Sequence, residues 1–301
     1  MSSEELVVYT TWHPGLEAYL SDWGRSVRAQ TDSAFRLVVG VDGIEAEPWI
    51  ARLNLQQKVQ WIAVPTGASP AQVRQAALQA IVDDASAVAF VDSDDILEPS
   101  RIAGARNALV GADVTACALR LADASGKDFG EVFGPPEGLD PVADLPYHNV
   151  FGLSNTAYRS VTLRACLPIP DECVLIDWLL ATRAWALGAR MAFDATPRMI
   201  YRQHSASATR VSPPFTADQI LKATNLVLGH YRLVLDSRPA LPSVPASVLR
   251  SAFTRVERFH DAVSTSPEML ARYVDALNHL APCYVWWWTV ANSELEHLWM
   301  N

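Results

Sequence analysis

Apolar residues in the first hundred positions fall into short blocks, separated by longer stretches in which they recur every three or four residues. The blocks are residues 6–11 (Leu-Val-Val-Tyr-Thr-Thr), 35–41 (Phe-Arg-Leu-Val-Val-Gly-Val), 59–64 and 87–91 (Ala-Val-Ala-Phe-Val). Near-continuous apolar runs of this length predict strands buried on both faces. The intervening helical spacing predicts helices over about 15–30 and from Ser69 through about Val82. Pro70 stands at the first helical position of the second, where its missing N–H costs nothing. Farther on, strands are predicted over 111–121, 190–193 and 199–201, and a helix over 174–187 closed by Gly188. Residues 122–146, rich in Gly, Pro and Asp, read as a loop or hairpin. Strand–helix alternation of this kind predicts an α/β domain on a mainly parallel sheet. Ligands of such sheets bind at the carboxyl ends of the strands, and Asp42 and Asp92 both stand at such ends.

Past Ser212-Pro213-Pro214 the pattern becomes wholly helical. Ile220, Val227, Leu228, Tyr231, Val234 and Leu235 share one face. Leu249, Phe253, Val256 and Phe259 share a second, and Leu270, Tyr273, Val274 and Leu277 a third. Prolines separate these stretches. The division expected is therefore a catalytic domain over 1–212 and a helical C-terminal extension of three or four helices over 213–301. Within the extension, Tyr284-Val-Trp-Trp-Trp288 suits helix packing, a dimer contact or a lipid surface. Glu294 and Glu296 follow where a membrane-facing helix would carry basic residues, which places packing first.

Composition narrows the function. Half of the 301 residues are hydrophobic and the formal net charge is -9, which argues against a nucleic-acid partner. The four cysteines form no CxxC pair and no zinc spacing, as expected in a reducing compartment. The start, Met1 to Glu5, has no basic residue and leads into no long apolar run, and the sequence holds no stretch of about 18 apolar residues. A cytoplasmic protein with no transmembrane span is the expectation.

Asp92, Asp94 and Asp95 place three acids within four residues after an apolar strand. Crowded carboxylates repel each other unless a cation or hydrogen-bond donors compensate. Oxygen ligands favour Mg²⁺ or Mn²⁺, and a divalent ion held there can neutralise charge on a departing diphosphate. Two other readings are open to the same residues. Aspartates also favour turns and helix N-caps. An Asp-x-Asp after an apolar strand also fits a haloacid-dehalogenase-type phosphatase with Asp92 as nucleophile, although Ile96 stands where that class has Thr and the motif arrives late in the chain.

Residues 88–102, Val-Ala-Phe-Val-Asp-Ser-Asp-Asp-Ile-Leu-Glu-Pro-Ser-Arg-Ile, resemble the signature of the family 2 glycosyltransferases. Other segments match in the family's order. They are residues 7–11, Ser26 to Gln30 followed by the strand ending in Asp42-Gly43, Asp177-Trp178 with Arg183 and Gly188, and Tyr201-Arg202-Gln203-His204. The resemblance spans roughly residues 6–208. It implies a GT-A fold and an inverting, metal-assisted transfer from a nucleoside-diphosphate sugar to an acceptor hydroxyl on a saccharide or other molecule. It also implies roles. Thr11, Asp42, Arg74 and Asp92 would contact the donor. Asp94, Asp95 and His204 would serve the Mn²⁺ or Mg²⁺. Asp177 would be the general base. The chain departs from the family's pattern at Ile176, where an acid usually precedes the base, and at Ile44, after Asp42-Gly43. A relative that binds a nucleotide sugar without transferring it is the other reading this resemblance leaves open. Peripheral membrane contact and a homodimer through the C-terminal region complete the expected partners.

Overall fold

The computed structural model describes residues 5–65, 67–203, 211–237 and 240–300. They fall into two compact units, residues 1–133 with 151–204 and residues 134–150 with 205–301. The sequence places a boundary at 212; the units divide near 204, and the second one also takes in residues 134–150.

The first unit is built on one nine-stranded sheet. Strands β1 (Leu6–Trp12), β2 (Phe35–Val41), β3 (Val59–Ala63) and β4 (Ala87–Phe90) lie parallel in the order β3-β2-β1-β4. Helices α1 (Leu20–Arg28), α2 (Glu47–Leu53) and α3 (Pro70–Asp84) make the connections. The chain continues through β5 (Ile96–Leu97), α4 (Arg101–Ala108), β6 (Val114–Asp123), β7 (Asp128–Phe133), β8 (Thr156–Arg159), α5 (Ser160–Cys166), α6 (Ile176–Ala186) and β9 (Met191–Gln203). β8 joins β4 to β6 by antiparallel pairing on both sides, β9 runs parallel to β6, and β5 and β7 pair antiparallel with β9 and β6. The mainly parallel α/β architecture read from the sequence is the one observed.

The apolar blocks became central strands because both of their faces are covered. Val7, Val8, Leu37, Val38, Val39, Val88 and Ala89 are inaccessible to solvent. α3 begins as its sequence specifies: Ser69 and Gln72 form a capping box, with Pro70 in the first turn. Gly43 follows β2 with φ of +66°, a conformation that costs a side-chain-bearing residue but not glycine, and so ends the strand sharply after Asp42.

Several predicted elements are corrected. The helix expected from about residue 15 starts at Leu20, because Pro14-Gly15 opens a series of turns before it. The two short strands expected over 190–193 and 199–201 are one strand, β9. Its register against β6 jumps between Asp194 and Pro197, so the proline, which has no N–H to give the ladder, sits at the bulge. The loop or hairpin expected over 122–146 includes a hairpin strand, β7. α2, α4, α5 and β8 had no periodic signal, since elements of four to eight residues hold too few apolar positions to show a period.

The second unit contains α7 (Ala217–Leu235), α8 (Ser243–Thr265), α9 (Pro267–His279) and a 3-10 helix at Ser293–Leu298. α7 also opens with a capping box, Thr216 with Gln219. Most of the expected apolar positions are buried, with Tyr231, Phe259 and Tyr273 among the largest enclosed side chains, while Leu235, Phe253 and Val274 are half-buried. Phe259 packs its ring against Tyr273 at 4.7 Å and Trp299 at 5.3 Å. Residues 134–150 belong here through specific bonds: Tyr231 Oη donates to the Pro146 carbonyl at 2.6 Å, and Asn149 and Trp286 exchange backbone bonds of 3.1 and 3.0 Å. Trp286, Trp287 and Trp288 are only 6–9% exposed, so this segment offers no open face to a lipid or a second copy.

Candidate active site

Parallel register carries three of the expected donor residues to one edge of the sheet. Thr11 pairs with Gly40 and Tyr9 with Phe90, which puts Thr11, Asp42 and Asp92 just at or past the carboxyl ends of β1, β2 and β4. The edge is stitched together by the Asp42 N–H on the Trp12 carbonyl at 2.9 Å and by Ser93 Oγ, which donates to the Thr11 carbonyl at 2.8 Å. Tyr9 and Thr11 share a hydroxyl hydrogen bond of 3.0 Å beneath it. Gly40 makes room for that pair: a Cβ there would lie 3.0 Å from both Tyr9 Oη and Val73 Cγ1.

Asp92, Asp94 and Asp95 each present a carboxylate oxygen within 4.8 Å of the others. Their environments differ. Asp95 is fully buried and held on both oxygens, by the Ser154 hydroxyl and by the Arg202 backbone N–H at 2.9 Å. Burial, then the charges of Asp94 and Asp92, still raise its pKa well above the ordinary carboxylate range, against the pull of those two donors. Asp92 is pushed up to about 7 by burial and the Asp94 charge, with Arg74 pulling the other way and Asp177 adding a further upward push. Three acids so placed form an anionic site, and their hard oxygen donors at the strand end suit a divalent cation. Asp92 and Asp94 keep partly exposed side chains toward it, whereas Asp95 is committed to Ser154 and Arg202.

Arg74 and Asp177 reach the same place from helices. Arg74 lies one turn into α3, and its charge partly offsets the upward pKa shifts that burial imposes on Tyr9 and Asp92. Asp177 occupies the first turn of α6, where the helix dipole favours a carboxylate. The start of α6 is tied down by the loop before it. Gln72 Nε2 and Ser69 Oγ, at the cap of α3, donate to the Asp171 carboxylate at 2.8 Å and carbonyl at 3.2 Å. Arg183, two turns into α6, donates to the Cys166 and Pro168 carbonyls at 2.7 and 2.5 Å. Trp178, beside Asp177, is fully enclosed. Asp92 thus feels charges from α3, α6 and its own loop together. His204 lies outside the described residues.

The residues that sequence reasoning missed are those beneath the acids. Besides its backbone bond to Asp95, the fully buried Arg202 donates to the Asp94 carbonyl at 2.7 Å and the Asp22 carboxylate at 2.6 Å. Its guanidinium also stacks on Tyr19, 5.2 Å from the ring centre. Its place in Tyr201-Arg202-Gln203-His204 was a usable signal. Ser154, in a loop without pattern, carried none.

No known family's sequence profile matches the chain, nor does the sequence of any curated protein. Solved structures do. Residues 1–349 of S. aureus TarS in complex with UDP-GlcNAc superpose with a TM-score of 0.61 at 15% identity, over 90% of this chain and 78% of that one. The complex of the same protein with UDP gives 0.57 at 18%, over 89% and 75%. The mannosyltransferase PcManGT from Pyrobaculum calidifontis, with GDP-Man and Mn2+, gives 0.55 at 13%, over 90% and 78%. The fold is that of the GT-A glycosyltransferases. At these identities the likeness is one of fold. No described helix is long and apolar enough to cross a membrane.

Proposed function

We propose that this chain is a metal-dependent glycosyltransferase that moves a sugar from a nucleoside-diphosphate donor to an acceptor hydroxyl with inversion. The observation that carries the reading is the convergence on Asp92 of Asp94 from its own loop, Arg74 from α3 and Asp177 from α6, at the strand ends of a GT-A fold. The ligands bound in the similar structures, UDP-GlcNAc, UDP, and GDP-Man with Mn2+, support a nucleotide-sugar donor and a metal.

In this reading Thr11 and Asp42 orient the nucleoside, and Asp92 and Arg74 hold the donor's ribose and charged portion. Asp94 binds a divalent metal, with Asp95 fixing the loop that presents it; His204 is a further candidate ligand. When bound, that metal supplies positive charge to the departing diphosphate. Asp177 accepts the proton of the acceptor hydroxyl as its oxygen forms the new bond to the anomeric carbon and the bond to the diphosphate oxygen breaks. Attack opposite the leaving group inverts the configuration. Asp177 stands in the first turn of α6, where the helix dipole favours a carboxylate, the form able to accept a proton. Ile176, where relatives have an acid, points into the core at 3% exposure and takes no part. The phosphatase alternative is set aside on the fold.

Asp177→Asn tests the reading, because it keeps the side chain's shape and removes the basic oxygen. Donor affinity should stay near normal while transfer slows at least about 100-fold, the usual scale for losing a general base. Unchanged turnover would remove Asp177 from the reaction. A wild type that binds donor but neither transfers nor hydrolyses it would make this chain a nucleotide-sugar-binding protein.

A further inference from the structure

The second unit contains a cavity of about 870 Å³ that is open to solvent, in the range of sites for sizeable small molecules. One wall is a single face of α8. Ser247, Arg250, Ser251, Thr254, Arg255 and Arg258 follow one another at helical spacing and all line it. Arg255 is occupied, donating to Glu296 at 2.7 Å and lying over the Trp299 ring at 5.0 Å. Arg250 and Arg258 are different. Both are exposed, and neither makes an ion pair or a side-chain hydrogen bond with any described residue, on a chain whose net charge is -9. They are two helical repeats apart, about 12 Å along the axis. The hydroxyls of Ser251 and Thr254 lie between them.

The facing wall comes from residues 134–150. His148 is part of this lining, and burial is the main cause that lowers its pKa to about 4, so the ring is neutral there. Tyr147 stands at the rim, 40% exposed, with an aromatic face available for a sugar ring. Asp144 is the carboxylate on this wall, and it already accepts the Asp140 N–H at 2.9 Å.

We propose that this cavity binds an anionic oligosaccharide, with Arg250 and Arg258 engaging acidic groups and the α8 hydroxyls engaging the sugar hydroxyls between them. Arginine's fork of N–H donors suits carboxylate and phosphate equally, so the acidic group comes from a uronic acid or a sugar phosphate. None of these residues belongs to the carboxylate site, and the inference stands whether or not that site transfers sugars.

The test is calorimetry on the full chain, with a chelator present so that metal at the aspartates plays no part. The probes are tetragalacturonate, mannopentaose 6-phosphate and neutral mannopentaose. At least one anionic probe should bind roughly tenfold or more tightly than the neutral one. Arg250→Gln/Arg258→Gln should abolish that difference without altering the melting temperature, and the doubly Lys-substituted chain should retain part of it. Binding of tetragalacturonate alone assigns the site to carboxylates, and binding of the phosphorylated probe alone assigns it to phosphates. Equal binding of charged and neutral probes, no binding of any, or an unaffected Arg→Gln double variant would overturn the proposal. So would an oligothymidylate that outcompetes both saccharides, since that would make the cavity a nucleic-acid site.

Discussion

At the residue scale, the three crowded aspartates act on one another's charge and are held in different ways. Asp95 has its two oxygens satisfied by Ser154 and the Arg202 N–H, which makes it an anchor for the loop. Asp92 and Asp94 are left to share what positive charge reaches them. Ser154→Ala tests this division of labour. It leaves a buried carboxylate oxygen without its donor, at a cost of about 1–3 kcal/mol in stability. The expected result is a lower melting temperature together with weaker metal-dependent donor binding. Normal stability would show that Asp95 is not held as described. In the sequence the three aspartates stand out by residue type and spacing, and Asp177 through the family resemblance. Ser154 does not stand out, because a serine in an irregular loop gains its meaning only from the carboxylate that the fold brings to it.

At the element scale, a helix start must be held still for its first-turn carboxylate to work as a base. α6 is held from inside the turn by Arg183, which is 7% exposed and spans the Cys166 and Pro168 carbonyls. Arg183→Leu would leave those carbonyls without their donor and loosen the loop that leads into Asp177. We expect about 1–3 kcal/mol of destabilisation, with kcat falling more than donor affinity. Equal losses in both, measured on one preparation, would show that the loop also shapes the donor site. The long elements are legible for a physical reason: α3, α6 and the C-terminal helices repeat their apolar residues over three or more turns, and the central strands are mostly apolar. α4 shows the opposite case. Its buried face consists of Arg101, Ile102 and Ala105, and no hydrophobic pattern marks an arginine as core. Arg101 belongs inside because the carbonyls of Phe90 and Thr156 accept from it at 3.2 and 2.9 Å, partners supplied by other strands.

At the scale of the whole molecule, the chain leaves the sheet unit after β7, enters the second unit for residues 134–150, and returns. The excursion was read as loop from its Gly, Pro and Asp content, and local composition could not show that Tyr231, Trp286 and Asn149 would bind it into a helical core some distance along the chain. A chain truncated after Ser212 should therefore do more than lose its last helices. It should strip Leu145 and Val150, both buried, of their cover, and aggregate or melt at lower temperature. A soluble truncation of unchanged melting temperature would show that residues 134–150 need no partner.

The account as a whole rests on the aspartates being a donor site completed by a metal. Calorimetry of UDP and GDP binding, with and without Mn²⁺, tests that most directly. For at least one of the two nucleotides, Mn²⁺ should tighten binding to the wild type by about tenfold or more, and Asp94→Ala should lose that gain while keeping its fold. Binding that is indifferent to the metal in the wild type, or a metal effect that survives in Asp94→Ala, would contradict the account.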